Sequence, residues 1–450
     1  MARVVIIGGD AAGGTVASNL RRTLPDEHEV VVLERTDRTS YSACGIPYWI
    51  AGDVDSADDL VARSPEDHRK NGVDVRTGVE VTAIDLVRRR VETDGEPVDF
   101  DRLVIATGAE PVRPDLPGID AAGILGVQSL ADGQRVLEEM GRDPRRVVVV
   151  GSGYIGLEMA EASVGRGFDT TVVEALDTPL PILEPELGEQ VADAMRARGI
   201  HLRTGEQVDG FETSDGRVTG VHVGGEVLPA DLVILGLGVR ARSQLAGAAD
   251  VALGVKDAIV VDQHQHTSID GVWAVGDCAQ SIDRVTGQPV HIALGTHANK
   301  QGMVAADAIA ADLLERRPTL SFPGVVQTAI TKFCSLEISR TGLGERQARD
   351  AGFDPITASI ETTNIAGYMP GSAPMTVWAC ADRSSRRLLG VQIVGAEDAA
   401  LRVDVAGTAL AAGMTVDDVV MLDLAYAPPF GSVWSPVQVA ARAVAKALSA

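Results

Sequence analysis

Apolar residues near the N-terminus fall in a short β-branched run, VVII at 4–7, and the glycine-rich stretch GGDAAGG follows at once. Such a run, closed by glycine, predicts a buried strand entering a tight turn. TVASNLRRTL, from Thr15, then reads as a helix, and EVVVLER as a second strand ending on Glu34. The order is strand, glycine-rich turn, helix, strand, acid. In a dinucleotide fold the glycines let the backbone approach a pyrophosphate at the helix N-terminus, and the acid takes the ribose hydroxyls. Gly8 and Gly13 frame the turn, while Asp10 stands where the middle glycine is usual.

The same order returns further along. RRVVVV leads into GSGYIG, which supplies Gly151, Gly153 and Gly156, and then come a helical LEMAEASVGRG and a strand TTVVE ending on Glu174. Glu174 lies 23 positions after Gly151, close to the roughly 20 such a unit needs. Each copy closes on a related strand and glycine, LVIATG at 103–108 and LVILGLG at 232–238. Two units predict two nucleotides, either two cofactors or a cofactor and a substrate nucleotide. Beyond them, VQTAITKF and TVWACAD…RLLGVQIVG read as strands around a polar turn, followed by helices. The fold class expected is α/β, with two Rossmann-like units and a C-terminal α+β domain.

Composition narrows the function. At 450 residues the chain is too long for one ordinary core. With 45% apolar residues and 48 glycines it fits a compact, soluble α/β protein. A net charge of −23 argues against nucleic acid and against an anionic membrane surface as partners. Any anionic ligand then needs a local basic patch. The four cysteines (Cys44, Cys278, Cys334, Cys380) are far apart, without CxxC or metal-like spacing. No metal site and no disulfide scaffold is expected, and a reducing cytoplasm fits best. The N-terminal apolar run of four residues is too short for a signal-peptide core.

The acids carry a preference. After Glu174 comes ALDTPLPILEPE, with no Arg or Lys to receive a 2′-phosphate. A carboxylate there accepts from a free 2′-OH and repels a phosphate, so NADH is expected over NADPH. After Glu34 comes RTDRTS, which leaves Arg35 and Arg38 available to phosphates.

VVIIGGDAAGG, LVIATGAEP, GSGYIGLEMAE, GVWAVGDCA and HIALGTHANKQG occur in that order. Together they resemble the flavin-dependent pyridine nucleotide–disulfide oxidoreductases across the whole chain. The resemblance implies a glutathione-reductase-like arrangement: an FAD-binding domain at 1–118 and 244–320, an NAD(P)H-binding domain at 119–243, and a dimerisation domain at 321–450. It implies a homodimer. It assigns FAD to Gly8, Asp10, Ala11, Ala12 and Gly13 of the first turn, and to Glu34 and Arg35. Ser42, Val81, Thr107 and Gly108 of the ATG loop, Asp277 and Thr296 complete that set. The nicotinamide nucleotide falls to Gly151, Gly153, Tyr154, Ile155, Gly156 and Glu158, with Glu174 and Gly238.

Within the family, SYSACGIPY resembles the single-cysteine branch of coenzyme A-disulfide reductases, persulfide and sulfur reductases, NADH oxidases and NADH peroxidases. The CxxxxC pair of the two-cysteine enzymes is absent, and the last histidine is His297, so a C-terminal histidine acid is absent too. Tyr368 in AGYMPG and Tyr426 in LAYAPPFGSVW look like the tyrosines that coenzyme A-disulfide reductases bring to the cysteine, the latter as the partner subunit's Tyr426. A phenol beside a sulfur leaving group can supply a proton. Oxygen- and peroxide-reducing members resemble one another in a histidine at the first turn, where this chain has Ala11; its absence argues for sulfur.

Thr15, Asn19, Arg22, Ser40 and Lys70 resemble coenzyme A contacts, the first three sharing one helical face. Arg21, Arg22 and Lys70 would form the basic patch. Ala43 and Trp434 depart from the pattern, standing where those enzymes tend to have asparagine and some have lysine.

The mechanism implied is hydride transfer from NADH to FAD, then electrons to Cys44, held in a mixed disulfide with a small thiol such as coenzyme A. The start of a helix is expected to lower the Cys44 pKa, with Tyr368 or Tyr426 assisting the leaving thiolate. Two alternatives stand beside it: a water-forming NADH oxidase or peroxidase using a Cys44 sulfenic acid, and a reductase of an electron-carrier protein. Cys278, Cys334 and Cys380 are expected to be packing residues, the last two in strands.

Overall fold

The computed structural model describes residues 1–449. The VVII run forms the strand Arg3–Ile7, central in a parallel sheet, with Glu29–Glu34 on one side and Arg102–Ile105 on the other. Asp74–Thr77 and Val272–Ala274 complete the edges. Val4, Val5 and Ile6 are fully buried, as a parallel strand covered on both faces requires.

The second sheet repeats this plan. Arg146–Val150 lies between Asp169–Glu174 and Leu232–Leu235, flanked by His201–Thr204 and Ile124–Gly126. The repeat extends beyond the sheets. Each unit carries a three-stranded antiparallel meander, Val81–Asp85 with Arg90–Thr93 and Val98–Asp99 in the first, and Val208–Ser214 with Arg217–Val223 and Glu226–Pro229 in the second.

In the first unit the helix Ala11–Thr23 begins earlier than its polar pattern suggests, because its first turn is small residues packed under the sheet. It lies against the helix Gly295–Leu313. Their approach depends on Gly302, where a Cβ would fall 2.7 Å from the Ala12 carbonyl oxygen.

The C-terminal region forms one antiparallel sheet in the order Ala329–Phe333, Leu336–Gly342, Leu388–Gly395, Pro374–Asp382, Pro355–Thr363. Its central strand Leu388–Gly395 is buried throughout, with the helices Val403–Ala412 and Pro436–Leu448 packed on the sheet. One apolar cluster joins this sheet to the second nucleotide unit and to the short helix Ile46–Ala51. That helix seats against Leu130–Met140 and Tyr154–Gly165, so Cys44, just ahead of it, is held where the three parts meet. No helix among the described residues is long and apolar enough to cross a membrane.

Candidate active site

The two glycine-rich turns share one construction. Gly8 has φ +104° and Gly151 φ +91°, where a side chain is strained. A Cβ on Gly13 would strike the Gly8 carbonyl oxygen, and one on Gly156 the Gly151 carbonyl oxygen. In each turn the next amide reaches the acid at the end of the second strand: Gly9 N donates to Glu34 Oε2 at 2.8 Å, and Ser152 N to Glu174 Oε2 at 2.9 Å. Ser152 Oγ adds a bond of 2.6 Å to the same oxygen. Glu34 and Glu174 are both nearly buried.

The helix after each turn starts without a side-chain cap. Asp10, the cap residue of the first, makes no capping bond and accepts instead from Tyr41 N at 3.0 Å. Its first-turn amides are therefore left for a ligand, as a diphosphate requires. Burial pushes Asp10 up to about 7, with Glu34 adding and the Tyr41 amide opposing. Ala11 and Ala12 continue the turn into the helix, as do Tyr154 and Ile155 in the second unit. Gly153 is the second helix's cap residue. These two turns are cradles that a Cβ would fill, and they fit dinucleotides.

Gly108 and Gly238, in the loops that close the two units, have positive φ and open space beside them. Thr107 spends its hydroxyl on the Arg242 carbonyl at 2.5 Å. Val81 is buried at the start of the meander, whereas Ser42, Arg35 and Thr296 are exposed. Burial raises Asp277, and its carbonyl oxygen lies 2.7 Å from the His291 ring. Burial also drives His297 down to about 4, so this imidazole is neutral near pH 7.

Cys44 lies in the turn Ala43–Gly45 and is exposed, while Cys278 and Cys380 are buried and Cys334 is partly so. Its pKa corrects the expectation from helix dipoles. The neighbouring protein pushes the thiol upward, first by desolvation, then through Glu158 and Asp277. The following helix has only six residues and Gly45 as its cap residue, so its dipole acts weakly on the sulfur. Cys334 is also corrected: it occupies the turn between Ala329–Phe333 and Leu336–Gly342, with φ +53°, rather than a strand.

Glu158, one helical turn beyond Tyr154, is raised to about 7, chiefly by burial. It accepts from Thr331 Oγ1 at 3.0 Å. Glu158 also leads the charges raising Tyr48, and Lys332 lies 5.7 Å over the Tyr48 ring.

Thr15, Asn19 and Arg22 form one chain of contacts. Arg22 donates to Asn19 Oδ1 at 3.1 Å, Asn19 to the Thr15 carbonyl at 2.8 Å, and Thr15 Oγ1 to Asn299 at 2.9 Å. Ser40 (φ +46°) pairs with buried His68 at 3.0 Å, and Arg63 donates to Ser18 at 2.6 Å. Asn299, Arg63 and His68 escaped sequence reasoning, since only the fold brings them to this helix. The proposed basic patch is smaller than expected. Arg21 closes its own helix end, donating to the carbonyls of Leu24, Pro25 and His28, and Lys70 sits 3.4 Å from Asp67.

Tyr368 and Tyr426 come together. A hydrogen bond with Tyr368 raises the Tyr426 phenol, and both are exposed. Phe430, Val433 and Trp434 are exposed in the same C-terminal region.

Two nucleotide cradles, a lone exposed cysteine at their junction and a third domain with exposed aromatics define a two-nucleotide redox protein. The family model described as pyridine nucleotide-disulphide oxidoreductase matches residues 2–302, and that of its dimerisation domain matches 328–436. The chain belongs to the pyridine nucleotide-disulphide oxidoreductases, and membership implies FAD and NAD(P)H.

It is 38% identical over 445 residues to the NAD(P)H sulfur oxidoreductase (CoA-dependent) of Pyrococcus furiosus, covering 98% of each chain. It is 34% identical over 455 residues to an NADH oxidase of Methanocaldococcus jannaschii, covering 99% of each. The solved structure of a NAD-dependent persulfide reductase from A. fulgidus superposes with a TM-score of 0.95 at 33% identity, covering 99% of this chain and 84% of that one.

Proposed function

We propose that this protein is an NADH-dependent flavoenzyme that reduces a disulfide, persulfide or polysulfide, with coenzyme A-linked sulfur as its substrate, through Cys44. One observation carries the reading: of four free cysteines, Cys44 alone is exposed, so the second sulfur of its redox bond comes from outside the chain. Relatives named as sulfur and persulfide reductases support it. Exposed aromatics on the dimerisation domain support a homodimer.

FAD would be held by the first turn, Glu34, Arg35, Thr107–Gly108, Asp277 and Thr296, and when bound it supplies two-electron transfer from NADH to sulfur. NADH would lie on the second turn. Glu174 stands at the strand end, and Arg203 on the neighbouring strand is already held by Glu206 at 2.5 Å and Glu226 at 3.1 Å. A 2′-phosphate would meet a carboxylate and no free guanidinium from these groups, which favours NADH.

With coenzyme A persulfide, the Cys44 thiolate attacks the coenzyme A-side sulfur. The S–S bond breaks, hydrosulfide leaves, and a Cys44–S–S–coenzyme A bond forms. Reduction of that bond frees both thiolates, and the departing one takes a proton from Tyr426 or Tyr368. Thr15, Asn19, Arg22 and Asn299 would receive the polar end of coenzyme A, with Ser40 and Lys70 at its edge.

Intact mass spectrometry before and after reduction tests this. Loss of a mass equal to coenzyme A, absent in Cys44→Ser, supports it. Conversion of wild-type Cys44 to a sulfenic acid by oxygen, with NADH consumed and no sulfur substrate turned over, would replace it with an oxidase.

A further inference from the structure

The hairpin of Ala329–Phe333 and Leu336–Gly342 belongs to the C-terminal sheet, yet it packs on the helix Tyr154–Gly165 of the second nucleotide unit. In its ladder Ala329 lies opposite Arg340 and Thr331 opposite Ile338. Opposite residues of an antiparallel pair share a face, as do alternate residues of one strand. Thr331 and Arg340 therefore project from the same face. On the helix, Tyr154 and Glu158 are four positions apart and also share a face.

The two faces meet where Thr331 reaches Glu158. Thr331 Oγ1 donates to Glu158 Oε1 at 3.0 Å. Burial raises the Tyr154 phenol, with Arg340 opposing, and burial lowers Arg340 itself. Arg340 is only 2% exposed, donates to the Gly342 carbonyl, and leaves Nε without a partner among the described residues. An incompletely satisfied guanidinium is costly to bury.

We propose that Thr331 is a positioning residue for hydride delivery: its hydrogen bond fixes Glu158, so that the C-terminal domain sets the shape and charge of the nicotinamide wall. This rests on the reading that Tyr154 and Glu158 face the nicotinamide. The groups acting with Glu158 are Tyr154 and Glu161 on its own helix, Cys44 and Tyr48 from the cysteine segment, and Thr331 from the hairpin. Of these, the Thr331 bond favours the carboxylate, while burial and Glu161 oppose it.

Thr331→Val keeps the shape and removes the donor. The pH at which NADH-dependent flavin reduction inflects, followed anaerobically by stopped flow on the holoenzyme, should then rise by roughly one unit. The infrared carboxyl band lost in Glu158→Gln should titrate upward by the same amount.

An inflection and a band that coincide with wild type would overturn the proposal. A wild type that reduces its flavin with NADH but turns over no sulfur defeats the function above and leaves this test standing. A wild type inert to NADH overturns both.

Discussion

The Tyr41 amide donates to the Asp10 carboxylate at 3.0 Å, tying the loop that carries Cys44 to the first glycine-rich turn. Burial raises Asp10 to about 7, so it is largely neutral below that pH and anionic above it. An anion at this turn opposes an incoming diphosphate. FAD affinity should therefore fall as pH rises through 7, and Asp10→Asn should flatten the curve. At about pH 8.5 the variant should bind FAD roughly tenfold more tightly than wild type, and at about pH 5.5 the two should match. Fluorescence titration of the apoprotein reads this, and parallel curves would refute it.

Tyr368 and Tyr426 share a contact that raises the Tyr426 phenol. If this pair supplies the proton to the leaving thiolate, Tyr426→Phe should slow sulfur-dependent reoxidation of the NADH-reduced protein by about 100-fold, with Tyr368→Phe slowing it less. Reoxidation at the wild-type rate in both variants would remove the tyrosines from the chemistry.

Glu158 heads the charges that push the Cys44 thiol upward, after desolvation. Removing that negative charge should increase the thiolate fraction. In the apoprotein near pH 7.5, Glu158→Gln should raise the rate of Cys44 alkylation by iodoacetamide roughly fivefold, read by mass spectrometry. An unchanged rate would show that Glu158 does not act on the sulfur.

These relationships separate what local spacing encodes from what only the fold supplies. The strands ending on Glu34 and Glu174 are legible because turn, helix and acid follow within one unit. The two meanders are not, because their strands are half-exposed, without a clean period. Arg21 and Arg22 look alike in the sequence, yet one closes a helix end and the other reaches Asn19. The upward shift of Cys44 is not legible locally, because it comes first from burial and then from Glu158 and Asp277, over 100 positions away. The Thr331–Glu158 bond spans 173 positions, and no local pattern announces it.

The central claim is that Cys44 carries electrons from NADH to an external sulfur. It is tested most directly by anaerobic turnover of the FAD-loaded protein with NADH and coenzyme A persulfide, measuring sulfide and NADH together. The wild type should release about one sulfide for each NADH consumed, and Cys44→Ser should lose turnover. Sulfide release by Cys44→Ser at the wild-type rate, or NADH consumed only when oxygen is admitted, would contradict it.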